Sequence, residues 1–307
     1  MSAGWVAAQT RSRSLTSHCI GPAGAREIAR SGSLDAALDI VATTAYGERA
    51  RVGQNLRDAE RSVAATVTWN LRVLAGWCPA LGTSRLRVIA GVFELTNLEE
   101  ELGHLGDHLA TPPYELGSLA SVTRQPPALN VSEFRDSLRR SPWGDPGTGD
   151  PDEIVLALRF SLIRRLVDTV PEAGAWAEAY GALLLARVVA NGGSLAPGSP
   201  TAASARAVLG PRAVAARTLD ELTRAIPTSS AAALAGITGP DDLWRGEARW
   251  WARLWREGDE GVRRRGAEPA AIVCALAAQL ADAWRVRAAL EIASRAGRGM
   301  EMLDAVA

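Results

Sequence analysis

Apolar side chains recur at every third or fourth position along most of this 307-residue chain, the spacing of one face of an α-helix. They do so between Arg57 and Trp77, and the pair Cys78-Pro79 predicts the end of that helix. A second helix is predicted from Ser84. The apolar positions of the two helices are Val63, Val67, Leu71, Leu74, Leu86, Ile89, Phe93, Leu98, Leu102 and Leu105. The alternation typical of β-strands is nearly missing, so the pattern predicts an all-α fold.

Later helix boundaries are marked by capping residues, proline and glycine. Asp150 can cap a helix that starts at Pro151, and Glu153 completes a pair typical of a capping box. The segment 191–200 (NGGSLAPGSP) predicts a linker or an exposed loop. Further helices are predicted from Pro171 to Asn191, around Ala205 and Leu219, from Gly239-Pro240 past Trp255, and from Glu268-Pro269 to about Arg295.

A weak internal repeat links two parts of the chain at an offset of 97 residues. The first part reads LDAALDIVATTAYG from Leu34, and the second reads VSEFRDSLRRSPWG from Val131. The offset pairs Thr44 with Ser141, Tyr46 with Trp143 and Gly47 with Gly144. A third copy, LDELTRAI from Leu219, keeps only the apolar positions, and the polar residues Ser33, Asn130 and Thr218 precede the three copies. The repeat predicts three related helical units. We place them at 1–109 with the N-terminal helix, 110–200 ending in the linker, and 201–307.

Composition excludes several function classes. All 34 basic residues are arginine, so the chain has no lysine for a phosphate-binding loop or a Schiff base. The 34 acidic residues cancel this charge, which argues against binding to nucleic acid. No apolar run near the start is typical of a signal sequence, and the most apolar stretch is interrupted by Gln279 and Asp282. Three scattered cysteines indicate reduced thiols. These features predict a soluble intracellular protein without direct membrane insertion.

Few residues form a pattern that indicates chemistry. There is no G-x-S-x-G motif, and Gly144-Asp-Pro-Gly147-Thr-Gly149 lies between predicted helices, where it indicates a turn. Glu101, His104 and His108 have helical spacing and could form a mononuclear metal site, but the second Glu-x-x-His of a di-iron bundle is missing. A polar helix face is the simpler interpretation of these residues.

The densest aromatic segment is LWRGEARWWARLWREG, from Leu243 to Gly258. Its tryptophans and leucines share one side of a helix, and the arginines lie on the other: Arg245, Arg249, Arg253 and Arg256. One interpretation is a core helix with a solvated outer face. The alternative is an interface that offers arginines to an acidic partner surface.

Four short motifs resemble those of the C subunit of prokaryotic V/A-type rotary ATPases, which is called d in eukaryotes. The segment from Thr10 to Leu15, with Arg11 and Arg13, is similar to the family's A-R-x-R-a-L opening. Thr44-Ala45-Tyr46-Gly47 is similar to its T-x-Y-G. The run from Gly91 to Glu99, with Phe93, Glu94 and Asn97, resembles Y/F-D/E-I-x-N-L-K, and Trp284 to Ile292 resembles E-V-x-N-L-R-x-I. Glu99 replaces a basic residue, and Arg287 stands at the asparagine of the last motif.

The resemblance implies three pseudo-threefold-related helical units packed as a funnel. It implies a non-catalytic coupling subunit without cofactor or metal, bound to central-stalk subunits and to the cytoplasmic rim of the proteolipid ring. Such a protein would be peripheral to the membrane and would pass torque for ion transport, with structural roles for Arg11, Arg13, Tyr46, Phe93, Glu94 and Asn97. Two alternatives stay open: a stand-alone helical adaptor, and a metalloprotein that uses Glu101, His104 and His108.

Overall fold

The predicted helices are present, and several begin at the expected capping residues. The computed structural model describes residues 3–105, 112–122, 127–264 and 269–304. Within these ranges the regular structure is helical and contains no strand, which confirms the all-α prediction. The side chains of Ser33, Asn130, Asp150 and Thr218 each accept a hydrogen bond from the backbone N–H three residues later, as N-caps do.

The helices of the described residues follow one another along the chain. They are α1 (Ala3–Ser17), α2 (Gly21–Ala29), α3 (Leu34–Ala42), α4 (Leu56–Trp77), α5 (Ala80–Gly103), α6 (Val131–Arg139), α7 (Pro151–Thr169), α8 (Gly174–Ala190), α9 (Pro200–Leu209), α10 (Pro211–Ala215), α11 (Leu219–Ala225), α12 (Thr228–Leu234), α13 (Leu243–Arg264), α14 (Pro269–Ser294) and α15 (Met300–Asp304). Only Cys78-Pro79 separates α4 from α5, so α5 begins four residues before the predicted Ser84. The predicted linker lies between α8 and α9.

The chain divides into two compact units by the density of its internal packing. The first consists of Met1–Ser84 and Ala248–Ala307, and the second of Arg85–Glu247. Both boundaries in the sequence fall inside helices, α5 and α13. The division into three units at 1–109, 110–200 and 201–307 stays a prediction, and so does their pseudo-threefold packing as a funnel.

Helix α14 is the centre of the first unit. It packs against α1, α2, α3 and α4, and its buried residues lie on every side of the helix. Its alanines allow this close approach, because a small side chain brings neighbouring backbones near one another. By length and composition α14 could span a membrane, but 83 % of its apolar window is buried inside the protein. That burial is typical of a core helix, so the segment is weak support for a membrane span.

The second unit is built around α7 and α8. Helix α7 packs against α8 and α9, and α8 also packs against α12. A hydrophobic cluster joins α5, α6 and α7 through residues that include Leu98, Phe134 and Ile154. Gly91 of α5 allows the approach of α7, since a Cβ there would lie 2.7 Å from Leu162 Cδ1.

Candidate functional site

A buried carboxylate joins three segments of the first unit. Asp282 of α14 is fully buried, and it accepts hydrogen bonds from the backbone N–H groups of Ile20 (3.0 Å) and Gly21 (2.8 Å) at the start of α2. It also accepts one from the hydroxyl of Tyr46 (2.9 Å), which follows α3. We call this arrangement the Asp282 junction. It fixes α2 and the segment after α3 onto the central helix, and its negative charge lies at the N-terminal end of α2, where the helix dipole favours it.

Burial determines the electrostatics of the Asp282 junction. It raises the pKa of the Asp282 carboxyl, while the two backbone donors, Tyr46 and Arg285 act in the opposite direction. Burial and the neighbouring carboxylate raise the pKa of Tyr46 well above its ordinary value. Burial lowers the pKa of Arg285 to about 10, so its guanidinium stays charged at neutral pH. Arg285 lies over the ring of Trp255, with 4.9 Å between the guanidinium carbon and the ring centroid.

The second unit contains a junction of the same design. Glu94 of α5 is 5 % exposed, and it accepts hydrogen bonds from the backbone N–H groups of Ser121 (2.6 Å) and Val122 (2.8 Å). The Ser121 hydroxyl also donates to it, and so does the indole N–H of Trp143 (2.8 Å). We call this the Glu94 junction. In both units a helix carboxylate binds two successive backbone N–H groups and one aromatic side-chain donor.

The aromatic donors come from matching turns. The Thr44 hydroxyl donates to a carbonyl at the end of α3 (2.7 Å) and accepts from the N–H of Tyr46 (3.2 Å). The Ser141 hydroxyl donates to a carbonyl at the end of α6 (2.8 Å) and accepts from the N–H of Trp143 (3.1 Å). The two segments at the 97-residue offset therefore share their hydrogen bonds as well as their residue types. At the matching positions of the third copy stand Ser229 and Ala231, and alanine cannot donate the side-chain hydrogen bond that Tyr46 and Trp143 donate.

Glycine follows the aromatic residue in both turns, for different steric reasons. Gly144 has a φ of +75°, which favours glycine. Gly47 faces the backbone of α3, where a Cβ would lie only 2.2 Å from the Ala42 carbonyl oxygen.

Replacing Gly47 with alanine should destabilise the protein by about 2 kcal/mol or more, because neighbouring backbone would have to move. The matched control is Gly76→Ala in α4, where a Cβ would meet nothing within 4 Å. We expect this control to leave stability unchanged or to raise it by about 0.5–1 kcal/mol, since alanine is the better helix former. Urea unfolding followed by circular dichroism measures both, and equal effects would contradict the steric argument.

Asn97 lies one helical turn beyond Glu94 and binds the next part of the chain. Its side-chain amide donates to the Tyr114 carbonyl (3.0 Å) and accepts from the Tyr114 N–H (2.7 Å), so it replaces a backbone partner. Phe93 is buried and lies edge-on to the Tyr114 ring. The structural counterpart of Glu94 in α14 is Asp282, and Arg285 follows Asp282 at the same spacing of three as Asn97 follows Glu94.

Sequence reasoning did not single out Asp282. The available signal was that spacing, a carboxylate followed three residues later by a polar side chain and then by an apolar one. The motif resemblance begins at Trp284, two residues after Asp282, and therefore does not include this carboxylate.

The remaining residues singled out in the sequence are dispersed. Arg11 is half-buried and Arg13 is exposed on α1. Glu101 accepts from the Ala128 N–H (2.8 Å), and the His104 ring bonds the Glu100 carbonyl (2.8 Å). His108 lies outside the described residues, and among the described ones no cluster of three His, Cys, Asp or Glu side chains could hold a metal. The metal site on Glu101, His104 and His108 stays a prediction.

The arginines of α13 differ in their surroundings. Arg245, in the second unit, pairs with Asp242 (2.9 Å) and lies over Trp244. In the first unit Arg253 pairs with Glu257 (2.7 Å), Arg249 is half-buried, and Arg256 is exposed. The interface on these four residues stays a prediction, and Arg245 and Arg256 are its two exposed members.

Each unit has a cleft beside its aromatic turn. In the first unit a cleft of about 330 Å³ lies between the turn at Tyr46 and the face of α4 that carries Thr66 and Asn70. In the second a cleft of about 410 Å³ lies between the turn at Trp143 and α7, at Ser161 and Arg165. The N-caps of α4 and α7, Asn55 and Asp150, are 95 residues apart. The same offset pairs Thr66 with Ser161 and Asn70 with Arg165, so the clefts occupy equivalent places in the repeat.

No protein-family model matches the sequence, and no curated protein matches it significantly.

Proposed function

We propose that the chain is a non-catalytic coupling subunit of a V/A-type rotary ATPase, a helical socket between the central stalk and the cytoplasmic rim of the proteolipid ring. The observation that carries the proposal is the repeated carboxylate junction. Residues that give the sequence its resemblance to this family, Tyr46 and Glu94, lie in junctions of the same design. This supports a chain built from related helical units, which the resemblance implies.

The chemistry of the junctions suits a mechanical role. The carboxylates of Asp282 and Glu94 are buried, and their hydrogen bonds go to backbone and aromatic donors of the protein itself. Such groups fix helices against one another, and neither of these two carboxylates is free for proton transfer to a substrate. A subunit that passes torque needs this rigidity. We therefore also propose that the protein is peripheral to the membrane, through the complex, and acts in ion transport without a cofactor of its own.

A pull-down with the tagged full-length chain from native membranes in mild detergent tests this function. We expect mass spectrometry to identify stalk subunits, proteolipid and the nucleotide-binding headpiece together with the chain. Recovery of the chain alone, from membranes that contain the complex, would contradict the proposal and favour the stand-alone adaptor.

Charge reversal tests whether the α13 arginines face the partner. Arg256→Glu should reduce recovery of the stalk subunits, while Arg57→Glu, at another exposed arginine, on α4, should not. Equal recovery with both variants would remove Arg256 from the interface and leave the coupling function itself intact.

A further inference from the structure

The cleft of the first unit has polar groups that the protein leaves unsatisfied. Gln279 of α14 is only 3 % exposed and lines this cleft. Its side-chain oxygen accepts a hydrogen bond from Asn70 (2.9 Å), but its amide nitrogen has no hydrogen-bond partner among the described residues. The buried Nε of Arg11, which lines the same cleft, also lacks a partner there. Since buried donors are nearly always satisfied, two unsatisfied donors in one cleft indicate a missing acceptor.

The charge of the cleft favours an anion. Arg11 and Arg49 line it together with a single carboxylate, Glu48, so these three groups carry one net positive charge. The guanidinium of Arg49 lies over the Trp69 ring at 5.8 Å from its centroid, which holds the cation near the cleft. Trp69 is 46 % exposed and provides an apolar wall together with Leu15.

We propose that this cleft binds a small monoanionic carboxylate with an apolar body. Arg11 and Arg49 pair with the carboxylate, the Gln279 amide donates to it from the floor, and Trp69 contacts the apolar part. A single net charge suits a carboxylate better than the double charge of a phosphate, and guanidinium groups match carboxylate geometry. The volume of about 330 Å³ limits the ligand to a small molecule or to one acidic side chain of a partner protein. This inference does not depend on the coupling function.

The equivalent cleft of the second unit lacks this charge balance. It also contains an unsatisfied buried donor, Nη1 of Arg165, but its two arginines, Arg164 and Arg165, are balanced by two carboxylates, Asp145 and Asp168. Arg164 pairs with Asp168 (3.5 Å). Asp145 is held by Arg135 (3.0 Å) as well. We therefore expect no carboxylate binding there, and the second cleft provides matched control positions within the same protein.

Fluorine NMR of 4-fluorobenzoate with the full-length protein tests the proposal. We expect saturable binding at one site, and no binding of 4-fluorobenzamide, which has the same shape without the charge. Arg49→Gln and Gln279→Met should each weaken binding about fivefold or more, because each removes a donor to a charged group. Arg164→Gln, in the second cleft, should leave binding unchanged. Arg49 is exposed, so its variant stays informative if Gln279→Met fails to fold.

Tryptophan variants test the apolar wall. Trp69→Ala should weaken binding of 4-fluorobenzoate, and Trp77→Ala on the same helix, 57 % exposed and outside the cleft, should not. Equal effects of the two would contradict the assignment, as would tighter binding of inorganic phosphate. Absence of saturable binding of any carboxylate probe up to about 20 mM would overturn the proposal.

The source of the carboxylate is tested by a second probe, a short blocked peptide with one aspartate beside a phenylalanine. If it binds more tightly than 4-fluorobenzoate and competes with it, the site receives an acidic side chain of a partner. If only 4-fluorobenzoate binds, the ligand is a free small carboxylate. Binding of both probes that is unaffected by Arg49→Gln would contradict the site itself.

Discussion

Replacing Asp282 with alanine should destabilise the protein by about 3–5 kcal/mol, the largest effect that we expect in the first unit. The variant leaves two backbone N–H groups and the Tyr46 hydroxyl without their acceptor, and it removes the carboxylate of Asp282, which stabilises the buried charge of Arg285. Urea unfolding of the purified chain measures the change. The tyrosine environment, read by near-ultraviolet circular dichroism, should change as well.

An exposed aspartate of the same unit provides the control. Asp304 pairs with Arg26 at 3.3 Å, and its side chain is largely exposed. Asp304→Ala should therefore cost less than about 1 kcal/mol. A loss of similar size in both variants would contradict the structural role of the junction.

The pH dependence of the Asp282→Ala effect has a definite sign. Burial raises the pKa of Asp282 in the folded state above its ordinary value of 3.8, so just above that pH the folded state binds more protons than the unfolded chain. The contribution of this group to stability is fully present below pH 3.8, and it decreases as pH rises through the folded pKa. The stability difference between the wild-type protein and Asp282→Ala should therefore decrease as pH rises. A difference that increases across this range would be inconsistent with a raised pKa.

Replacing Glu94 with alanine should cost about 3 kcal/mol in the second unit. Four donors lose their acceptor: the N–H groups of Ser121 and Val122, the Ser121 hydroxyl and the Trp143 indole. The hydrogen bond from Trp143 is measured separately in a double-mutant cycle with Trp143→Phe, which removes the donor and retains a ring. We expect a coupling energy of about 1.5–3 kcal/mol, because the acceptor is charged and buried.

A second glutamate on the same helix provides the comparison. Glu99 is partly exposed and pairs with Arg159 at 2.8 Å. Glu99→Ala should cost about 1 kcal/mol or less, and it should show no coupling to Trp143→Phe. A coupling energy near zero between Glu94 and Trp143 would contradict a stabilising role for the hydrogen bond that the two junctions share.

Local structure was the part of the fold that could be predicted. The helix starts at Ser33, Asn130, Asp150 and Thr218 were predicted because an N-cap acts within three residues of itself. The repeat at an offset of 97 residues could be recognised from the sequence. The structure adds that Thr44 and Ser141 form the same hydrogen bond in their two turns.

The candidate site was predicted only in part. Glu94 and Tyr46 were noted as motif residues, but their partners are distant in sequence: Asp282 is 236 residues from Tyr46, and Trp143 is 49 residues from Glu94. Short sequence patterns do not predict contacts between residues that are so far apart in the chain. The unsatisfied amide of Gln279 was likewise invisible, since the sequence shows a glutamine only as an interruption of an apolar stretch.

The sequence by itself determined the helices, their caps, the repeated turns and the absence of lysine, because each depends on residue type or on short spacing. The tertiary structure alone decided which carboxylates are buried, which donors they bind, and where a cleft with unsatisfied donors and a net positive charge remains. These depend on the meeting of segments from both ends of the first unit, Ile20 with Asp282 and Asn70 with Gln279. The free energy that such contacts contribute depends on how far their polar groups are removed from water, and the packing of the folded chain determines this.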